Sequence, residues 1–221
     1  ISLAVKGRAG YMHEYRGVIH VHSTYSDGKG CVERIVDAAN RTRADFVILT
    51  DHNTMKAKEE GHEGRHGRVL LLVGEEITPD TNADHYLAFG IASAIAPSPD
   101  PVKNVEAVRR QGGIGIIAHP TGGAFVKGEY VEYPWTNWEA GPFSGIEIWN
   151  HSYDITGKSK NIFQLALYAL FPWLSPYGPE EGVLETWDYF VSQRGRRVVA
   201  VGGVDAHAII SDYEEDFVTV S

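Results

Sequence analysis

Six of the ten histidines stand at the ends of apolar, strand-like runs, with carboxylates close by in the sequence. The first run reads Val18-Ile19-His20-Val21-His22, and the two-residue period of a strand predicts that both imidazoles share one face. Imidazoles and carboxylates without thiolates suit Zn, Mn or Fe(II). Such a set exceeds what one ion can bind, so we expect two or three ions that share carboxylates. The candidate ligands are His20, His22, Asp27, His52, Glu76, His85, His119, Asp205 and His207.

The elements that position these residues are predicted from hydrophobic periodicity. Helical stripes fall at 31–44, 102–111, 161–174 and 179–195, and the third is apolar nearly all round, which suits a buried helix or a partner surface. Strands alternating with helices favour an α/β architecture with mainly parallel strands. The predicted strands are 17–22, 46–50, 69–73, 86–91, 114–118, 146–149 and 198–201.

One connection is shorter than the others. Residues 77–85 are too few for a helical crossover, so we expect the third and fourth strands to form a hairpin, the fourth running antiparallel. Active sites in α/β barrels and open sheets lie at the carboxyl ends of the strands, where all of these candidate ligands but His85 fall. His85 opens the fourth strand and reaches the same rim, because a hairpin strand begins where its partner ends. Periodicity leaves both a closed barrel and an open sheet possible.

The composition predicts a globular chain. The protein has 221 residues, of which 43% are hydrophobic and 22% charged, and we expect one domain over 1–221. A net charge of −9 argues against general nucleic-acid binding, and no apolar run is long enough to span a membrane. Cys31 is the only cysteine, which excludes an intrachain disulfide. A cytoplasmic location is favoured. Because the sequence starts at Ile1, an upstream targeting segment is possible. The sequence does not determine the oligomeric state.

The order of the motifs resembles that of the PHP (polymerase and histidinol phosphatase) family. These motifs are His-x-His at His20, then Ser-Asp-Gly, Thr-Asp-His, Gly-x-Glu, the lone His85, Ala-His-Pro and a closing Asp-x-His that ends at His207. The resemblance implies a distorted, TIM-like, seven-stranded β/α barrel with two or three Zn, Mn or Fe ions at its carboxyl rim. It assigns all nine candidates as ligands and prefers Glu76 to Glu75. Asp51 would orient a neighbouring imidazole from outside the ligand set.

The stretch from Tyr15 to Asn53 is similar both to phosphoesterases of nucleotides and oligonucleotides and to a branch that includes carbamate hydrolases. We therefore expect hydrolysis of a small phosphate mono- or diester by metal-activated hydroxide. The alternatives are a carbamate or carboxyl ester hydrolase on the same cluster and a non-catalytic metal-bound module. Asp205 or His207 would transfer a proton to the leaving group. Bound divalent ions would outweigh the charge of their carboxylate ligands, so an acidic protein can bind an anionic ester.

Several side chains near the strand ends allow two interpretations. Lys29, the only cation adjacent to the motifs, is a candidate for substrate binding. Asn53 and Asn150 are either substrate contacts or turn formers. Glu147, on the same strand face as Trp149, either supports the ligands or lies on the surface.

Three further sequence patterns resemble sites other than this metal centre. His62-Glu63-Gly64-Arg65-His66 spells the zinc-protease signature His-Glu-x-x-His, but its glycines oppose the helix that this motif requires. Gly113-x-Gly115-x-x-Ala118 enters a strand instead of opening a helix, which excludes a dinucleotide site. An aromatic cluster either lines a substrate pocket or packs in the core, as aromatic side chains do more often; it comprises Tyr130, Tyr133, Trp135 and Trp138.

Overall fold

The computed structural model describes residues 2–6, 12–126, 129–153, 159, 162–171, 174 and 178–208. The chain falls into two compact units, which are described separately. The first comprises Ile1–Glu76 together with Asp205–Ser221, and the second comprises Ile77–Val204.

The first unit is built on a five-stranded sheet with the spatial order β1-β2-β3-β5-β4. Strands β2, β3 and β5 are parallel, and the two edge strands pair antiparallel to their neighbours. The buried side chains of Val47, Leu49 and Leu71 supply its core. The strands are β1 (Ser2–Lys6), β2 (Met12–Val21), β3 (Phe46–Leu49), β4 (Gly64–His66) and β5 (Val69–Val73).

Helix α1 (Val32–Arg41) packs against this sheet through Val32, Val36 and Ala39, which are the buried members of the predicted apolar stripe. A single helical turn, α2 (Lys56–Glu59), follows β3. The parallel order places the chain segments that follow β2, β3 and β5 along one edge of the sheet.

The second sheet has the order β12-β11-β8-β7-β6. Strands β8, β11 and β12 are parallel, and β7 pairs antiparallel to β8. A separate hairpin joins β9 (Gly123–Val126) to β10 (Glu129–Glu132). The sheet strands are β6 (Glu75–Ile77), β7 (Tyr86–Phe89), β8 (Ile114–Ile117), β11 (Gly145–Asn150) and β12 (Val199–Gly203).

Helices cover part of the described residues of the second unit. Helix α3 (Pro101–Arg110) begins with Asp100 accepting a hydrogen bond from Val102 N, and ends before Gly112, whose φ of 72° suits glycine. Helix α4 spans Ile162–Leu170, and α5 spans Glu181–Asp188 and continues into a π-helical turn, Tyr189–Gln193. Among the described residues, no helix combines the length and apolar character that crossing a membrane requires.

The α/β class is confirmed, and every predicted strand overlaps an observed one. The predicted hairpin is wrong: Val69–Val73 pairs with β3 and β4, whereas the antiparallel fourth strand, β7, pairs with β8. The hydrogen-bonded strands of the described residues form two five-stranded sheets and a hairpin, not one closed seven-stranded barrel. The short strand Glu75–Ile77, which the hydrophobic pattern does not reveal, separates β5 from β7.

Candidate metal centre

His20 and His22 lie where β2 ends. The β2–β3 register shifts between Val18 and Val21, and His20 has a left-handed φ of 64°. This bulge turns the backbone, yet the Nε2 atoms of His20 and His22 both approach Glu76 Oε2, at 3.2 and 3.3 Å. The predicted convergence of the two imidazoles is therefore observed, although it depends on a bulge as well as on strand alternation.

The segments after β3 and β5 bring His52 and Glu76 together. The two residues form an isolated parallel bridge, and Asn53 N donates to Glu76 O at 3.0 Å. His52 Nδ1 lies 3.2 Å from Glu76 Oε2. The Glu76 carboxylate, which is 1% exposed, thus faces three imidazoles.

The segment around Asp205 returns to the end of β2. Ala206 bridges Val21 in parallel, accepts a hydrogen bond from His22 N and donates one to His20 O. These bonds place Asp205 Oδ1 at 3.4 Å from His20 Nε2 and 3.1 Å from His22 Nε2. Asp205 adopts a φ of 51°, a strained backbone conformation for this residue type.

Asp27, His52 and His207 form the more exposed side of the cluster, with side chains 56%, 26% and 18% exposed. His207 Nε2 lies 3.3 Å from Asp27 Oδ1, and Lys29 N donates to His207 O at 2.7 Å. Asp27 Oδ2 also lies 3.6 Å from His52 Nε2. The loop between β2 and α1 thereby connects the first and last motifs of the sequence.

The described residues of this unit contain two groups of donor atoms. Within each group, all the atoms lie within 4.8 Å of one another. His22 belongs to both, and within the described part of the chain neither of its buried ring nitrogens meets a partner in hydrogen-bond geometry. A buried imidazole with two such nitrogens, surrounded by carboxylates, fits a metal ligand better than a core side chain. The first group is His22, Asp27, His52 and His207, and the second is His20, His22 and Asp205.

The pKa values of these groups show strong electrostatic coupling. Burial lowers the pKa of His22, against the opposing effect of Asp205 and Glu76. For His207 burial also acts downward, but the hydrogen bond with Asp27 and the charges of Asp205 and Asp27 outweigh it and raise the pKa to about 9. Burial opposes ionisation of Asp27 and Asp205, yet nearby imidazoles hold the pKa of each carboxyl well below its usual range. The carboxylates attract positive charge, which a divalent cation supplies.

Asp51 does not orient an imidazole through its hydrogen bonds, which run to a neighbouring loop. Its Oδ1 accepts from Ser23 N and Ser26 Oγ, and its Oδ2 accepts from Ser23 Oγ, each at 2.7 Å. Asp51 therefore fixes the loop that leads to Asp27. Ser23 and Ser26 are part of this support, and the sequence signal for them is the Ser-x-x-Ser spacing just before Asp27.

Two of the predicted substrate contacts also lie in this unit. Lys29 has an exposed side chain two residues after Asp27. Asn53 is exposed and has a φ of 51°, which fits its alternative interpretation as a turn former.

In the second unit, His85 and His119 pack edge to face with ring centroids 5.0 Å apart. Tyr133 lies 5.2 Å from the His85 ring, and Tyr153 lies 4.5 Å from the His119 ring. Both histidines are buried, and His119 has a positive φ of 24°. The structure thus brings these two predicted ligands into contact, with aromatic side chains around them.

Glu147 is buried, at 1% exposure, which excludes its surface interpretation. Its Oε2 accepts hydrogen bonds from His119 N at 2.9 Å and from Asn150 Nδ2 at 3.0 Å. Asn150, 6% exposed, also accepts from Tyr153 N at 3.1 Å. Glu147 supports the backbone of His119, and Asn150 joins β11 to the following turn.

The protease motif is not helical, as expected. His66 lies in strand β4, with its Nε2 2.7 Å from His62 O, and His62 Nε2 lies 3.0 Å from the Tyr25 hydroxyl. That hydroxyl also donates to Glu60. These two half-buried histidines belong to a hydrogen-bonded network of the first unit.

The predicted aromatic cluster divides between two roles. Trp135 is buried against Tyr86, with ring centroids 5.7 Å apart, and Trp138 packs on Phe190 at 6.1 Å. Tyr133 contacts the histidine pair, and Tyr130 is 46% exposed. Only the two tyrosines remain available to line a pocket.

Comparisons with known proteins give similarity in structure alone. No protein-family model matches the sequence, and no curated protein is similar to it in sequence. A protein from Bifidobacterium adolescentis, assigned as a metal-dependent phosphoesterase, superimposes with a TM-score of 0.55 at 15% identity, over 87% of this chain and 88% of its own. That similarity shows a shared fold.

Two further solved structures are less similar. One is a two-domain protein from Bacteroides vulgatus that contains a region assigned as a PHP-like metal-dependent phosphoesterase (TM-score 0.45, 17% identity, 87% of this chain and 52% of that chain). The other is an amidohydrolase from Chromobacterium violaceum with bound sulfate and no metal (TM-score 0.49, 16% identity, 87% of each chain).

Proposed function

We propose that the protein is a metal-dependent hydrolase of the PHP family that cleaves a small phosphate mono- or diester. The observation that supports this most directly is the convergence of seven imidazole and carboxylate side chains in the first unit, on strand ends that are far apart in sequence. The order of the motifs and the fold shared with an assigned phosphoesterase agree with this function.

The proposed ligands comprise the seven side chains of the first unit, together with His85 and His119, which the family resemblance assigns. Two or three divalent ions of Zn, Mn or Fe type would fit this donor set. When bound, they would supply Lewis acidity and a hydroxide at neutral pH. The seven side chains are His20, His22, Asp27, His52, Glu76, Asp205 and His207.

Access to the cluster divides the remaining roles. Asp205 is buried between His20 and His22, which suits a ligand, whereas His207 is part of the exposed side and suits proton transfer to the leaving oxygen. A side chain that ligates a cation cannot transfer a proton at the same time. The variant His207→Ala separates the two roles. If His207 is a metal ligand, the variant loses metal; if His207 is the proton donor, the variant keeps its metal and loses turnover. Lys29, which lies with Asp27 between β2 and α1 and is exposed, would contact the anionic group of the substrate.

A carbamate or carboxyl ester hydrolase on the same cluster is the second candidate. The observation that favours it is the scarcity of cations: the ligand motifs contain no Arg, and Lys29 is their only neighbouring cation. A non-catalytic module is the third candidate, and the presence of all nine ligand positions argues against it.

One panel tests these candidates. The protein is purified with Mn, Zn or Fe(II), its metal content is counted, and aryl phosphates, phosphodiesters, nucleotides and aryl carbamates are assayed. We expect at least two ions per chain and phosphate release. Metal well below one ion per chain under every condition would contradict the whole proposal. Carbamate or ester turnover without phosphate release would favour the second candidate.

A further inference from the structure

A cleft in the second unit adjoins His119 and is walled by aromatic rings. It is partly open to solvent. The rings of Tyr130, Trp149 and Tyr153 line it, and Tyr130 and Trp149 are 46% and 36% exposed. Exposed aromatic faces around a concave space are typical of a binding site for a flat group.

Two consecutive glycines shape the floor of this cleft. A Cβ added at Gly122 would come within 2.9 Å of Tyr153 Cδ2, and one added at Gly123 would come within 2.6 Å of Tyr130 Cζ. Both tyrosine rings therefore pack directly on the backbone at the start of β9. The same turn is fixed by Gly122 N, which donates to His119 O at 2.7 Å. The position of the rings is thus set by the backbone and not by side-chain packing alone.

The charges of the cleft oppose an anionic group. The described residues that line the cleft include no Lys or Arg. They do include two acidic residues, Glu147 and Glu180. The Glu147 carboxylate is buried and accepts hydrogen bonds from His119 N and Asn150 Nδ2. A phosphate would be repelled here, and an uncharged ring would not.

We propose that this cleft binds a flat aromatic ring of the substrate, so that the enzyme prefers aromatic esters to alkyl esters. The identity of the ester group rests on the function proposed above, whereas the binding of a ring rests on the cleft itself. The packing of Tyr153 against His119 places the ring beside a proposed metal ligand. The ring comes either from a nucleoside or from a simple aryl group, because both present a flat π face.

The test compares kcat/KM for 1-naphthyl phosphate, adenosine 5′-monophosphate and n-butyl phosphate in the metal-loaded protein. We expect the wild type to favour at least one aromatic ester, and the favoured ester identifies the ring. Tyr130→Ala should lower kcat/KM for that ester about tenfold and change n-butyl phosphate less than about twofold. Tyr130→Phe keeps the ring and should retain the preference. Tyr15→Ala is the matched control, since Tyr15 is 44% exposed on β2 of the first unit.

Two results overturn the inference: a wild type that prefers n-butyl phosphate, or a Tyr130→Ala variant that loses the same factor on aromatic and alkyl esters. If no ester is hydrolysed with any metal, the proposed function fails, and the cleft is tested by calorimetric titration of 1-naphthyl phosphate and n-butyl phosphate. Binding of the naphthyl compound that is weakened in Tyr130→Ala and kept in Tyr130→Phe supports the cleft. Equal binding by wild type and Tyr130→Ala overturns it.

Discussion

Single residues of the proposed centre adopt strained backbone conformations. His20, His119 and Asp205 have φ values of 64°, 24° and 51°, in a region that costs non-glycine residues about 1–3 kcal/mol each. Neighbouring hydrogen bonds hold two of them in place: Ala206 N donates to His20 O, and Glu147 accepts from His119 N. Strain kept at three proposed ligands is typical of a site whose side chains must point in a fixed direction.

His52→Ala should reduce both metal content and turnover, the latter about 100-fold or more, because it removes an imidazole that faces Glu76 and Asp27. His62→Ala is the control, since His62 contacts Tyr25 and Glu33 instead. Metal analysis and steady-state kinetics on both variants check this. A large loss of turnover in His62→Ala would support the protease interpretation of the His-Glu-x-x-His motif.

Asp51→Ala should lower the free energy of unfolding by about 2–4 kcal/mol, because it leaves the amide and hydroxyl of Ser23 without their acceptor. Urea denaturation measures the change. Asp37→Ala is the matched control: Asp37 is 72% exposed and 3.9 Å from Arg41, so its removal should cost less than about 0.5 kcal/mol. Equal losses in the two variants would contradict the supporting role of Asp51.

At the scale of elements, the loop between β2 and α1 holds the centre together. Asp51 binds it at Ser23 and Ser26, Gly30 O accepts from Thr24 N, and Lys29 N donates to His207 O. The loop therefore carries Asp27 on a framework that is hydrogen-bonded at both ends. Its geometry depends on Gly28, which lies close to the backbone of His22, just after β2.

Gly28→Ala should destabilise the protein by about 1–3 kcal/mol and weaken metal binding, because the new Cβ would lie 2.3 Å from His22 O. Gly30→Ala, two residues along, is the control: its Cβ would meet nothing closer than 3.5 Å, and we expect a change within about 0.5 kcal/mol. Thermal unfolding and metal titration of both variants provide the comparison. If Gly28→Ala and Gly30→Ala have similar stability and similar metal binding, the loop tolerates displacement by the added Cβ.

For the whole molecule, the metal centre is expected to contribute to folding, since a ligand that binds only the native state stabilises it. Removing metal with a chelator should lower Tm by several degrees, and adding Mn or Zn should restore it. Hydrogen exchange should localise the lost protection to the segments around His20, His52, Glu76 and Asp205. Unchanged Tm and unchanged exchange after complete metal removal would contradict a metal-organised first unit.

The net charge of −9 leads us to a second prediction for the whole molecule, which concerns the binding of anions. Without metal, the carboxylates of Asp27, Glu76 and Asp205 should repel an anion, whereas bound divalent cations reverse the local sign. Inorganic phosphate should therefore bind the metal-loaded protein at least tenfold more tightly than the chelated protein. Calorimetric titration of both forms measures this, and equal affinities would mean that phosphate binds elsewhere.

Sequence by itself determined where seven of the strands lie and which candidate donor residues the chain contains. Periodicity located the seven predicted strands and the helix that begins near Cys31, because apolar spacing follows directly from which face is buried. The types and order of the ligand residues also stand in the sequence, since an imidazole or a carboxylate is identifiable without any fold.

Only the tertiary structure decided how these pieces meet. Pairing partners depend on hydrogen bonds between distant segments, so the sequence could not show that β5 lies beside β3 and β4 while β7 pairs with β8. The bulge at His20, the Asp51 bonds to Ser23 and the burial of Glu147 likewise depend on long-range contacts. Local patterns record which side of an element is buried, but which element covers it is a property of the folded chain.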